Sequence, residues 1–194
     1  YETRIGRFAA PSSRGGGGDV SSGEVDLIDP ETRFYSETPA FLAQEENLAR
    51  FRGKKVLMYC TGGVRCERAS ALLKKGLDEG AEVYQLSGGI QRYLEAYPDG
   101  GFFQGSMHVF DRRGRVTGQE IAASASVSDV KPAVVIGQCS LCAEPWDRYQ
   151  GRWSCSHCSL LVLVCERCQG RNSRRRHELF CELCCQQQQQ QQQQ

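Results

Sequence analysis

No apolar run in the 194-residue chain approaches the length of a membrane span, so a spanning helix is excluded and a soluble protein with no membrane partner is expected. Neither sign of charge is in excess. Twenty-four Lys and Arg face 23 Asp and Glu, and a net charge of +1 gives no global steering toward nucleic acid, so any such partner must be met by a local patch. Histidine is scarce, with three residues. Nothing nearby in the sequence suggests an orienting partner that would make His108 a catalytic base, and it is expected on an edge strand or at the surface. An initiating methionine is lacking too; the expectation is a fragment without its natural N-terminus, whose targeting cannot be read.

Cysteine is what the chain has in quantity. Eleven occur, and eight of them form four C-x-x-C pairs, Cys139 with Cys142, Cys155 with Cys158, Cys165 with Cys168, and Cys181 with Cys184. That spacing is the zinc-ligand signature and a poor secreted disulfide framework, which points to an intracellular reducing compartment, cytoplasm or organelle, a plastid included. Each pair presents two thiolates, and two pairs complete a closed tetrahedral site, so two structural zinc ions are expected. Twelve residues separate the first pair from the second and twelve the third from the fourth. The repeat points to two successive sites, Cys139, Cys142, Cys155 and Cys158, then Cys165, Cys168, Cys181 and Cys184; spacing alone does not exclude a cross-braced alternative pairing first with third and second with fourth. His157, His177 and Cys185 are expected to be spectators because eight cysteines already fill both sites. Leu160 to Val164 (LLVLV) reads as a short strand supplying the module's small core.

A ninth cysteine stands in a different setting. Lys54 to Ser70 (KKVLMYCTGGVRCERAS) reads as a strand covered on both faces, ending at Cys60, with a Gly62-Gly63 turn and a helix from about Arg65 that buries Ala69, Leu72, Leu73 and Leu77. Backbone amides at a helix N-terminus stabilise an anion, so Cys60, beside Arg65, is expected to be an activated thiolate. The loop amides of Thr61, Gly62, Gly63, Val64 and Arg65 would surround it, and Cys66 lies close enough to resolve or protect it.

The order strand 54–60, helix 65–78, strand 82–86 and helix 90–96 is the alternation of an α/β fold with a parallel sheet and flanking helices, in which ligands gather at strand C-terminal ends. Ser87-Gly88-Gly89 either walls the same pocket or is simply a turn. Pro39 to Arg50 is expected to be one short helix with Phe41, Leu42 and Leu48 inward and its glutamates in water, Pro11 to Gly23 a flexible insertion, and Met107 to Asp111 a strand. The expected units are an α/β domain over 1–104, a connecting segment over 105–138 with a linker-like Ala-Ser-rich stretch, a cysteine-rich module over 139–185, and a disordered polyglutamine tail over 186–194. Arg171 to His177 (RNSRRRH) is the one concentrated basic run, either a grip on an RNA backbone or, slightly favoured for want of aromatic residues, a solvated loop.

At Tyr1 to Phe8 (YETRIGRF), Cys60 to Ser70 (CTGGVRCERAS), Tyr84 to Ile90 (YQLSGGI) and Tyr97 to Phe103 (YPDGGFF) the chain resembles the rhodanese superfamily. Within it, the chain is similar to the subfamily of bacterial tRNA uridine hydroxylases and of eukaryotic rhodanese-like proteins with a cysteine-rich tail. The resemblance implies a rhodanese-like sheet whose first strand would lie upstream of Tyr1. It also implies a persulfide on Cys60 and a small sulfur donor. Oxygen-dependent hydroxylation of the tRNA wobble uridine would be the reaction, with generic thiosulfate sulfur transfer as a second enzymatic reading. A third reading is non-catalytic, a zinc-stapled module binding protein or RNA on a rhodanese scaffold. Four residues separate Cys60 from Arg65; the related dual-specificity phosphatases have one more, in a wider loop sized for phosphate, so sulfur chemistry is favoured.

Overall fold

The computed structural model describes residues 2–9, 26–78, 80–109, 115–124, 134–150, 153–171 and 178–191. The elements are α1 (Glu2–Ile5), β1 (Gly6–Phe8), a 3-10 turn (Tyr35–Glu37), α2 (Thr38–Ala43), α3 (Glu45–Phe51), β2 (Val56–Met58) and α4 (Val64–Gly76). They continue with β3 (Val83–Gln85), α5 (Gly89–Ala96), β4 (Phe103–Gly105), β5 (Met107–His108), β6 (Arg115–Val116), α6 (Gly118–Ser124), α7 (Glu166–Arg171) and α8 (Glu182–Gln191). The expected insertion at Pro11 to Gly23 lies outside the described residues, as do residues 172–177 of the basic run.

The unit that carries the Cys60 loop is β2-α4-β3. The strands pair in parallel, Val56 with Val83, Leu57 with Tyr84 and Met58 with Gln85. α4 crosses between them with Glu67 in its first turn and Lys74 and Lys75 in its last, charges that suit the helix dipole. It buries Cys66, Ala69 and Leu73, with Leu77 just beyond, against Leu42, Leu48, Phe51 and Val83. A side chain as deeply buried as Leu73 contributes about 1.5–3 kcal/mol. Leu72, expected inward, is 38% exposed, since it sits a step round the helix from the Ala69–Leu73 stripe.

Coverage of β2 on both faces is overturned as well. Leu57 is 70% and its partner Tyr84 51% exposed, because strand alternation turns both away from α4 and no described element lies over them. The sheet is divided: β1 pairs antiparallel with β4, and β5 antiparallel with β6, so among the described residues only β2 and β3 form a parallel ladder. Pro39 to Arg50 is two helices, broken at Gln44 (φ −69°, ψ 133°), where buried Asn47 donates to the Phe41 carbonyl at 2.8 Å and the Gln44 side chain at 2.9 Å. Phe41, Leu42 and Leu48 do face the core, and Glu45 and Glu46 face water.

A second core gathers Ile90, Leu94, Phe103, Met107, Val109 and Val116, with the Phe8 ring edge-on to Tyr59, Tyr93 and Phe103. Met107, Val109 and Val116, from the expected connecting segment, thus contribute side chains to this core. His108 lies on β5 of a two-stranded sheet, as the edge-strand alternative has it, but is 2% exposed rather than at the surface, with its ring edge-on to Tyr149. Asp147 couples the cysteine-rich module to this core by accepting from Ser106 and pairing with Arg115 at 3.1 Å.

In the module, Leu160 to Val164 makes one antiparallel bridge, Leu161 to Ser154, instead of a full strand. Its side chains nevertheless fill the core around Trp153. The glutamine tail, expected to be disordered, is helical through Gln191. Glutamine is a good helix former, and buried Cys184 anchors the first turn.

Candidate active site and metal centres

Cys60 lies two residues beyond the end of β2 and is 7% exposed. Gly63, at φ +87°, caps α4 and turns its N–H onto the Cys60 sulfur at 3.1 Å. The Cys60 thiol is held down to about 5, first by a hydrogen bond from the Cys66 side chain, then by the amides of Cys66 and Gly63 and the charge of Arg65, which together outweigh burial. At neutral pH the group is a thiolate. Among the expected loop residues, Gly63 and Cys66 therefore supply the direct donors. Arg65 reaches the Thr61 hydroxyl at 3.1 Å, and Thr61 donates to the His108 carbonyl at 3.4 Å, while Gly62 and the Val64 side chain face solvent.

The Ser87-Gly88-Gly89 turn forms the wall of this loop. Ile90 N–H donates to the Cys60 carbonyl and Gln91 N–H to that of Thr61, each at 3.0 Å. Gly89 has φ +65°, and a Cβ there would collide with the Cys60 and Thr61 carbonyls and the Gly63 nitrogen. We expect Gly89→Ala to cost about 2–4 kcal/mol, from backbone strain plus steric displacement, and to slow Cys60 alkylation. Gly80→Ala is the comparison: φ is +94° but nothing lies within 4 Å, so only strain of about 1–2 kcal/mol should appear in urea unfolding.

All eight paired cysteines converge, in a different pairing from the successive one. Cys139, Cys142, Cys165 and Cys168 form one tetrad, and Cys155, Cys158, Cys181 and Cys184 the other, with each tetrad's sulfurs within 4.8 Å of one another. The cross-brace arises because residues 160–164 run antiparallel to 153–155, with Cys155 N–H on the Leu160 carbonyl and Val162 N–H on that of Trp153. About 16 Å of near-extended chain then carries Cys165 away from its neighbouring knuckle. It arrives beside the first, where Ser140 N–H meets the Leu163 carbonyl and Cys165 N–H the Cys139 sulfur at 3.3 Å. Ser156 N–H on the Leu179 carbonyl likewise brings Cys181 to the second knuckle. Each tetrad combines one tight knuckle, turned by Ala143 (φ +58°) or Ser159 (φ +62°), with one helix start, that of α7 or α8.

Residues 24–96 match the Rhodanese-like domain and residues 104–191 the Rhodanase C-terminal family. The chain carries a rhodanese-like domain followed by a Rhodanase C-terminal segment. It is 42% identical over 185 residues to Rhodanese-like domain-containing protein 6 of Arabidopsis thaliana, which covers 95% of this chain and 26% of that protein. It is 41% identical over 128 residues to a tRNA uridine(34) hydroxylase of Kocuria rhizophila, covering 64% of this chain and 38% of that one. A tRNA uridine(34) hydroxylase of Rhodococcus jostii is 43% identical over 118 residues, 60% of this chain and 36% of its own. The chain thus spans well under half the length of these relatives.

In this rhodanese-like chain the tetrads fit a metal on donor chemistry. Three of the four sulfurs in each tetrad belong to buried cysteines. Burial and neighbouring thiols push Cys168 and Cys184 up to about 12, so a bound cation is what would let all four ionise together. Cys185 is exposed, and neither it nor His157 joins a tetrad; His177 lies outside the described residues. No described helix is long and apolar enough to cross a membrane. Two further contacts have no signal in the spacing: Tyr35 donates to the Arg65 carbonyl at 2.7 Å, and Arg33 donates to the Cys184 sulfur at 3.7 Å.

Proposed function

We propose that this chain is the cysteine-bearing part of an enzyme that modifies a uridine of tRNA, with Cys60 as the reacting nucleophile. The supporting observation is the buried Cys60 sulfur at the start of α4, met by the Gly63 N–H at 3.1 Å and by Cys66. Similarity to tRNA uridine(34) hydroxylases over 60–64% of the chain supports the choice of substrate.

The first chemical step is sulfur capture. The Cys60 thiolate attacks the outer sulfur of a donor such as thiosulfate, a new S–S bond forms, the donor's S–S bond breaks, and sulfite leaves with the electron pair. Arg65 and the loop amides would then hold the charge of the Cys60 persulfide as they hold that of the thiolate. Zinc held by Cys139, Cys142, Cys165 and Cys168, and by Cys155, Cys158, Cys181 and Cys184, would supply structural closure, since four thiolates leave no open coordination position.

A thiosulfate sulfurtransferase without tRNA specificity is the second reading. It is favoured by the short loop, with four residues between Cys60 and Arg65. Thiosulfate added to the purified chain should place one sulfur atom on the Cys60 peptide, and Cys60→Ser should abolish the adduct. An unchanged mass together with ordinary Cys60 reactivity would sink both enzymatic readings. Cells lacking the full-length protein should lose 5-hydroxyuridine from tRNA, and Cys60→Ser should not restore it; an unaltered nucleoside profile would leave sulfur transfer alone.

A further inference from the structure

We infer that Arg33 and Tyr35 form a strut through which the tetrad Cys155, Cys158, Cys181 and Cys184 positions the Cys60 loop. Residues more than a hundred positions apart in the chain meet here. Arg33 reaches α8, donating to the Cys184 sulfur at 3.7 Å and to the Gln187 side-chain oxygen at 2.8 Å. Two residues on, the Tyr35 hydroxyl donates to the Arg65 carbonyl at 2.7 Å. The segment between is braced by Glu37, whose carboxylate accepts the N–H of Arg33 at 2.6 Å and of Phe34 at 3.4 Å. A push at one end is therefore carried to the other.

The chemistry gives the strut a dependence on metal. A divalent cation on four thiolates leaves a net negative cluster, which holds a guanidinium firmly; partners one layer outside a metal's ligands orient those ligands in return. Without the cation that negative cluster is absent, and Arg33 keeps the Gln187 side-chain oxygen at 2.8 Å as its polar partner. The loop end is sensitive to the same displacement. Arg65 sits in the first turn of α4, and its side chain reaches Thr61 at 3.1 Å within the loop that encloses Cys60. Arg33 and Tyr35 are accordingly positioning residues, acting on Cys60 through Arg65.

The test uses the zinc(II)-reconstituted chain and two readouts, zinc release to a chromogenic chelator and the pH profile of Cys60 alkylation followed on its own peptide. Neither depends on persulfide formation or on tRNA, so failure of the strut and failure of the proposed enzyme are separable. Arg33→Ala should speed zinc release about tenfold and lower Cys60 alkylation at pH 5 by about twofold, as expected when the midpoint rises by about half a pH unit. Arg33→Lys should recover part of both. Tyr35→Phe, which removes one oxygen and leaves folding intact, should slow Cys60 alkylation while zinc release stays unchanged. Wild-type Cys60 profiles in zinc-loaded Arg33→Ala and Tyr35→Phe would overturn the inference, whatever Arg33→Ala does to zinc release.

Discussion

Stripping metal from the chain should unfold the cysteine-rich module while the β2-α4-β3 unit keeps its helices. The module's buried apolar side chains, chiefly Trp153, Leu160, Val162, Val164 and Leu179, are few, and the buried cysteines complete the core around them. Structural zinc contributes an apparent 10–16 kcal/mol or so per site in small zinc modules, against roughly 5–15 kcal/mol for the whole stability of a domain. Trp153, 1% exposed, reports the change. Chelation should move its emission to the red and remove hydrogen-exchange protection across residues 153–165, and re-addition of zinc should reverse both. Retention of a buried Trp153 and of protected amides in a metal-free chain would show that the tetrads are ordinary buried thiols. The β2-α4-β3 unit packs around its own cluster of Leu42, Leu48, Phe51, Ala69, Leu73, Leu77 and Val83, which is why its loss is not expected to follow.

Alkylation of Cys60 should have its midpoint near pH 5, far below an ordinary thiol. The thiolate population is full well above pH 5 and is lost as pH falls through it, so reactivity persists at pH 6, where an ordinary free thiol is nearly inert. Because the Cys66 side chain is the largest cause of the depression, Cys66→Ala should move the midpoint upward. Once the midpoint lies above the assay pH, each further rise of about one pH unit should slow alkylation about tenfold. Cys66→Ser, which can still donate a hydrogen bond, should recover part of the effect. Peptide-resolved mass spectrometry distinguishes Cys60 from the tetrad cysteines. A Cys60 midpoint near 8 to 9, the range of a free thiol, would contradict the activated loop.

The local part of this chemistry was legible because its determinants are close together in the chain. A strand, two glycines and a helix start bring the Gly63 and Cys66 donors onto Cys60 within seven residues. Backbone geometry at that range depends on residue type alone, above all on the positive φ that Gly63 adopts. The C-x-x-C knuckles were legible for the same reason. By contrast, the continuous run of Val56 to Tyr59 reads alike in a strand covered on one face or on two, and the exposure of Leu57 and Tyr84 depends on what else packs nearby. The break at Gln44 carried no glycine or proline to announce it.

The proposal of Cys60 as the activated group, and the candidacy of the eight paired cysteines as metal ligands, rest on residue types at short spacing. Which pair of cysteines joins which, and what stands against the loop, follow from tertiary contacts. Equal spacings of twelve residues satisfy either pairing, and only the antiparallel return of residues 160–164 along 153–155 carries Cys165 to the first knuckle and leaves Cys181 for the second. The approach of Gly89 to the Cys60 carbonyl, the burial of His108 and the reach of Arg33 to Cys184 belong to the same class. They join segments distant in the chain, whose meeting is set by the packing of whole elements and leaves no periodicity in the segments themselves.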